Sequence, residues 1–235
     1  MNLILFRGVK RSGNHLIINW ILSHHSNVFF WNNCCPKDFK TVSEVRDAAN
    51  SQDDEDVVIF SFEFPQLISE HDFSQVIFCN KYKHVLTPML IRDPYNWMSS
   101  FLYNDNISNK EVELDYRKNH SRYWNIWTEC FDIWADSTLR VDFNKFVSNQ
   151  NYRKELADEM LFNFCPKIDK QVLNILWNHK EISLPSSFDT DLVKSYEIEP
   201  KEMKVLDRHK KISHLFDKYG ICPEVIARAK DYWSI

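Results

Sequence analysis

Glycine is scarce in this chain, which has only three among 235 residues. Glycine tolerates a positive φ angle and a close approach of other backbone, so a chain with so few should keep them where no other residue fits. Gly8 and Gly13 lie five residues apart. This spacing marks residues 8–15, here called the glycine loop, as the first candidate functional segment.

Other features that the sequence lacks exclude whole classes of protein. No apolar run approaches the roughly 18 residues that cross a membrane, and residues 1–6 are too short for a secretory signal. A net charge of −4 argues against a broad nucleic-acid-binding surface. The six cysteines have no regular spacing, so we expect reduced thiols, a cytoplasmic protein and no metal site. The length and the hydrophobic content of 44% favour one α/β domain over residues 1–235.

The glycine loop stands between two apolar segments of different character. Residues 3–6 form a short apolar run that predicts a strand, and residues 16–22 form an amphipathic stretch that predicts a helix. Strand, basic glycine loop and helix together are typical of an anion-binding turn, in which N–H groups at the helix start hold a phosphate or a sulfate. The plainer alternative is a tight structural turn with two solvated basic side chains.

The residues of the loop narrow the choice of anion. The spacing of Gly8 and Gly13 fits the opening of a Walker A loop, which continues with Lys and then Ser or Thr. Asn14 and His15 stand at those two positions, so the sequence disfavours hydrolysis of a magnesium nucleotide without disfavouring a phosphate-like ligand. The cations of the loop are Lys10 and Arg11.

Further strands are predicted along the chain. Segments rich in apolar, aromatic and β-branched residues predict them at residues 57–64, 87–91 and 138–143. Strands that alternate with helices predict a central parallel β-sheet flanked by helices, with right-handed crossovers.

The intervening segments are expected to be mostly helical. Asp93 as a cap and Pro94 at the first position predict a helix to about residue 103. The polar residues 104–120 are interpreted as an exposed loop or lid, and the chain from about residue 151 as a mostly helical C-terminal part. Aromatic residues at helical spacing predict a core-facing helix in between, and they are Trp124, Trp127, Phe131 and Trp134.

Ligands of parallel sheets bind beyond the carboxyl ends of the strands, so residues that follow the predicted strands should meet. The strand ends bring Lys10 and Arg11, Glu63, and Arg92 to one edge. An arginine fork suits a phosphate, and Ser100, two helical turns beyond Arg92, could donate its hydroxyl to the same group. A carboxylate beside an anion site suits proton abstraction from an attacking hydroxyl. The alternative is that Glu63 is a structural partner of one of the arginines.

These segments resemble, in order, the motifs of the sulfotransferases that use 3′-phosphoadenosine 5′-phosphosulfate (PAPS). Residues 11–15 are similar to the family's loop motif, and residues 61–65 to a base-before-proline motif, with Glu63 where many members have histidine. Arg92 and Ser100 have the spacing of the family's arginine–serine motif, and residues 141–146 look like a further, variant segment. The resemblance covers roughly residues 3–147.

The sequence also departs from the family pattern. Arg11 replaces the usual loop lysine, and Leu16 stands where an aromatic residue is usual. The segment that clamps the nucleotide's 3′-phosphate has no clear counterpart, although residues 186–188 and 208–211 are candidates.

The resemblance implies a P-loop NTPase-like sulfotransferase fold and in-line transfer of a sulfuryl group from PAPS to an acceptor hydroxyl, with adenosine 3′,5′-bisphosphate (PAP) as product and no metal. It implies Glu63 as general base and Arg11, helped by Lys10, as the cation that stabilises charge on the leaving phosphate. Arg92 and Ser100 would hold the 3′-phosphate. The implied phosphosulfate-binding residues of the helix start are Ser12, Gly13, Asn14 and His15.

Two other functions remain open. One is a kinase-like P-loop phosphotransferase, which would need Mg²⁺ and prefer ATP. The other is a non-catalytic nucleotide-binding protein of the same fold. The expected partners are a nucleotide donor and a hydroxyl-bearing acceptor, with neither nucleic acid nor membrane. The sequence does not choose among alcohols or phenols, sugars and protein tyrosines as acceptors, and it does not give the oligomeric state.

Overall fold

The computed structural model describes residues 1–32, 34, 47–52, 55–63, 81–103, 108–170 and 209–233. Its centre is a six-stranded sheet in which every described strand pair is parallel. The strands are β1 (Asn2–Gly8), β2 (Val28–Trp31), β3 (Val57–Phe62), β4 (His84–Leu86), β5 (Met89–Ile91) and β6 (Arg140–Asp142). Their order across the sheet is β2-β3-β1-β5-β6, and β4 also pairs with β1.

Seven helices with defined bounds surround the sheet in the described part of the chain. They are α1 (Asn14–Ser23), α2 (Pro94–Leu102), α3 (Asn109–Asp136), α4 (Phe143–Ser148), α5 (Gln150–Glu159), α6 (Ser213–Tyr219) and α7 (Pro223–Trp233). The expected α/β architecture with a central parallel sheet flanked by helices is confirmed.

The central strand β1 pairs with three other strands, β3, β4 and β5. β4 pairs with its first residues and β5 with its last two, so both lie on the same side of β1. Between them, Pro88 has no N–H for the ladder, but its carbonyl still accepts from the Arg7 amide at 2.8 Å. Since all pairings are parallel, β1, β3, β5 and β6 finish at one edge of the sheet.

Both faces of the sheet are covered by apolar side chains. Helix α1 packs Ile17 and Ile21 against Ile4 and Ile59 in one cluster of buried residues. On α3, the predicted aromatic stripe is core-facing, because Trp124, Trp127 and Trp134 are buried while Phe131 is half-buried.

The expectation of a loop over residues 104–120 was wrong for the part that the structure describes, because α3 begins at Asn109. Ser108 and Glu111 form a capping box at its start, in which each residue's side chain bonds the other's backbone N–H. Residues 104–107 lie outside the described residues.

All four predicted strands exist; the one predicted at residues 3–6 is longer than expected, running over Asn2–Gly8, and the other three are shorter. The structure has strands over Val57–Phe62, Met89–Ile91 and Arg140–Asp142, and Phe64 lies outside the described residues. The helix predicted after Asp93 runs over Pro94–Leu102, with the Asp93 carboxylate accepting from the Asn96 amide at 2.8 Å. The strands β2 and β4 were not predicted.

The sequence predicted no membrane span, no metal site and reduced cysteines. None of the helices seen there combines the length and apolarity that a bilayer span requires. The described residues also hold no cluster of three or more histidine, cysteine or acidic side chains. Cys34, Cys130, Cys165 and Cys222 are free thiols.

Candidate functional site

The glycine loop closes on itself through its own backbone and one buried amide. The Ser12 amide donates to the Val9 carbonyl at 3.0 Å. The Asn14 side-chain nitrogen donates to the Gly8 carbonyl at 3.1 Å and to that of Val9 at 3.5 Å. Asn14 therefore stands at the lysine position of a Walker loop but points its amide back at the loop, which fixes the turn.

Two residues of this turn have left-handed backbone. Arg11 has φ 73° and Gly13 has φ 102°. For a residue with a Cβ such a conformation costs about 1–2 kcal/mol, so the turn holds Arg11 against a backbone preference. Strained backbone of this kind clusters at ligand sites.

The start of α1 has no side-chain cap. Gly13 is the N-cap and no side chain caps the helix, so the first N–H groups lack intrahelical acceptors. The Ser12 hydroxyl is fully buried and has no hydrogen-bond partner within the described part of the chain. An uncapped helix start beside an orphaned hydroxyl fits a bound phosphate or sulfate oxygen.

The Lys10 peptide joins the loop to two neighbouring elements. Its N–H donates to the Glu63 carbonyl at 3.0 Å, which ties the loop to the end of β3. Its carbonyl accepts from the Trp97 indole at 2.8 Å, which ties the loop to α2. The glycine loop is thus held between the residue proposed as base and the helix that follows Arg92.

The Phe143 ring connects Arg92 to the loop. Arg92 directly follows β5, is only 2% exposed, and has its guanidinium carbon 4.6 Å from the centre of the Phe143 ring. A Cβ built on Gly13 would collide with that same ring. The ends of β1, β5 and β6 therefore pack together at the site, and Gly13 is needed for both its φ angle and its lack of a side chain.

His15 connects the Glu63 carboxylate to two further polar side chains. The His15 Nε2 atom lies 3.8 Å from Glu63 Oε1 and 3.1 Å from Asn32 Oδ1. The Asn32 oxygen also accepts from the Ser61 hydroxyl at 3.1 Å. The Glu63 side chain is 14% exposed, so the carboxylate is sheltered yet within reach of a small ligand at the edge of the sheet.

Ser100 is part of α2, and the C-terminal basic stretch contacts this helix and the residue that follows it. Ser100 is a buried residue of the last turns of this helix. The His209 amide donates to the Asn96 side-chain oxygen at 3.0 Å, and the Lys211 ammonium lies 5.7 Å from the centre of the Tyr103 ring. Of the candidates for a 3′-phosphate clamp, residues 186–188 and 208 lie outside the described residues.

The predicted site residues thus lie at one edge of the sheet or on the helix that follows it. The loop residues 10–15, Glu63 and Arg92 are joined by the contacts above, and Ser100 lies on the helix that Arg92 precedes. This edge therefore carries the cationic residues Lys10, Arg11 and Arg92 together with the carboxylate of Glu63, a composition that suits a multiply charged anion with a base beside it.

Sequence reasoning missed residues that hold the site together. Trp97 bonds the loop and Phe143 packs under Arg92, but a tryptophan inside a helix and a phenylalanine after a strand carry no signal for such contacts. Asn32 follows the unpredicted strand β2, and recognising that strand would have placed its amide at the same edge.

Comparison with known proteins gives a likeness of fold. No family model matches the sequence, and no curated protein matches it either. The structure is similar to a crystal structure of mouse sulfotransferase SULT7A1 complexed with PAP, at 9% identity and a TM-score of 0.53, covering 98% of this chain and 89% of that one. A crystal structure of a sulfotransferase from Alicyclobacillus acidocaldarius matches at 13% identity and a TM-score of 0.44, covering 97% of this chain and 94% of that one. The chain has the parallel α/β fold found in sulfotransferases.

Proposed function

We propose that this protein is a sulfotransferase that transfers a sulfuryl group from PAPS to the hydroxyl of an acceptor. The observation that carries the proposal is the meeting of the loop, Glu63 and Arg92 at one edge of the sheet. The fold is that of a sulfotransferase crystallised with PAP, which supports the choice of nucleotide.

The residues present fit an anionic donor, whose contribution when bound is an activated sulfuryl group. The N–H groups at the start of α1 and the Ser12 hydroxyl would hold the phosphosulfate. Arg11 and Lys10 would stabilise negative charge that develops on the leaving phosphate, as the cations of phosphoryl-transfer enzymes do. Arg92 and Ser100 would hold the 3′-phosphate, which ATP lacks.

Glu63 would act as the general base. Its backbone carbonyl accepts from the Lys10 amide, which ties the proposed base to the loop that carries Lys10 and Arg11. In the proposed step its oxygen takes the proton of the acceptor hydroxyl as the oxygen–sulfur bond forms and the bond from sulfur to the phosphate oxygen breaks in line. The proton ends on Glu63 and the negative charge on PAP.

The variant Glu63→Gln tests this assignment, since it keeps the shape and removes the base. With labelled PAPS and a panel of phenols, sugars and a tyrosine peptide as acceptors, we expect transfer to fall by about 10²–10⁴-fold, while PAP binding is retained. Glu155→Gln, an exposed position on α5, is the matched control and should transfer at the wild-type rate.

Transfer by Glu63→Gln at the full rate would show that Glu63 is not the base. A wild-type protein that binds PAP but transfers to none of the acceptors would instead support a non-catalytic nucleotide-binding function.

A further inference from the structure

The imidazole of His15, the last residue of the glycine loop, lies beside the proposed base, Glu63. It belongs to the first turn of α1, where an anion would bind, and its Nε2 atom faces Glu63 Oε1 at 3.8 Å. No other described histidine has an ion-pair contact with a carboxylate. The imidazole is therefore close to the start of α1, where the anion would bind, and to the Glu63 carboxylate.

The hydrogen bonds around the ring fix its orientation. Asn32 Oδ1 accepts from the buried Ser61 hydroxyl and lies 3.1 Å from His15 Nε2. A carbonyl oxygen can only accept, so this orientation of the Asn32 amide assigns the hydrogen to His15 Nε2. A proton taken up by the ring then goes to Nδ1, and the His15 side chain, at 44% exposed, can exchange that proton with water.

The charged groups near the ring come from two elements. Glu63 faces it from the end of β3, and Lys10 and Arg11 precede it in the loop. Asn32, from the end of β2, is neutral. A bound phosphate or sulfate adds negative charge at the helix start and so favours the imidazolium form.

We propose that His15 is a positioning residue that takes up a proton when the nucleotide binds and thereby links occupation of the loop to the Glu63 carboxylate. This inference rests on the proposed function. The imidazolium pairs with the Glu63 carboxylate and makes it a weaker base. The neutral ring does not pair with it in this way. Low pH therefore favours nucleotide binding, and high pH favours proton abstraction.

Calorimetric titration with PAP in two buffers of different ionisation enthalpy measures the proton uptake directly. At pH 7.5 we expect the wild type to take up protons from the buffer when it binds PAP, because the bound anion favours the imidazolium form. His15→Gln keeps a donor near the Nε2 position but cannot titrate, and it should take up almost none. His84→Gln, an exposed histidine at the opposite end of the sheet, is the matched control and should behave as wild type.

A second readout is the pH profile of transfer between pH 6.5 and 8.5. In the wild type, kcat and the KM for PAPS should both rise with pH, and in His15→Gln both should be nearly flat. If His15→Gln does not fold, His15→Asn serves in its place.

The outcomes separate the two proposals. Equal proton uptake by the wild type and His15→Gln overturns the role of His15 and leaves the sulfotransferase proposal standing. A wild-type protein that does not bind PAP overturns both.

Discussion

The packing of Phe143 against Gly13 can be tested by giving Gly13 a side chain. In Gly13→Ala, the Cβ would overlap the Phe143 ring, and alanine would have to adopt a φ of 102°. The backbone strain costs about 1–3 kcal/mol, and the forced repacking about 1–3 kcal/mol more. We expect the free energy of unfolding to fall by roughly 2–6 kcal/mol, measured by urea denaturation with tryptophan fluorescence.

Repeating Gly13→Ala in a Phe143→Leu background separates the effect of the overlap with the ring from the effect of the strained φ angle. There, Gly13→Ala should cost about 1–3 kcal/mol less than in the wild type, because the smaller side chain can move aside. Gly220→Ala is the matched control, since Gly220 also has a positive φ of 80° but nothing lies within 4 Å of a Cβ built there. Its cost should be the same in both backgrounds. An equal cost of Gly13→Ala with and without Phe143 would refute the packing that joins the loop to Arg92.

Two further predictions concern groups outside the site. Burial lowers the pKa of His24 below its usual value, so the unfolded chain binds a proton there more readily than the folded protein. Stability should be complete above about pH 6.5 and should fall as the pH is lowered through that value; urea titrations between pH 5 and 8 test this, and a slope unchanged in His24→Gln would contradict it. Burial raises the pKa of the Cys130 thiol to about 12, so at pH 8 iodoacetamide should label the partly exposed Cys222 well before Cys130 in the folded protein. Equal labelling of the two, measured by peptide mass spectrometry, would contradict the burial of Cys130.

The elements that the sequence predicted well are those with strong local signals. The strand–loop–helix around Gly8 and Gly13 has apolar runs on both sides of an obvious break, and the helix after Asp93 has both a cap and a proline. β3 is buried along its whole length, so its apolar run is continuous.

The elements that were missed have weak or misleading local patterns. β2 is the outermost strand of the sheet and has only four residues, and β4 has only three. The first half of α3 is polar because much of it faces solvent, which made it resemble a loop. Its capping box, Ser108 with Glu111, is a sequence signal that would have marked the helix start.

The residues of the candidate site could be predicted, but not the contacts that join them. Strand ends in a parallel sheet bring Lys10, Glu63 and Arg92 to one edge whatever the details of packing. The Trp97 indole bond and the Phe143 ring depend on how helices settle on the sheet, and periodicity carries no information about that.

Thermal denaturation with two nucleotides tests the central claim most directly. At about 100 times its dissociation constant PAP should stabilise the protein by about 2.7 kcal/mol, which raises the Tm by roughly 5–10 °C for a chain of this size. ATP with Mg²⁺ should give a much smaller shift, and Arg92→Ala should lose the shift given by PAP. An equal or larger shift with ATP and Mg²⁺, or a full PAP shift in Arg92→Ala, would contradict a site built for a 3′-phosphorylated nucleotide.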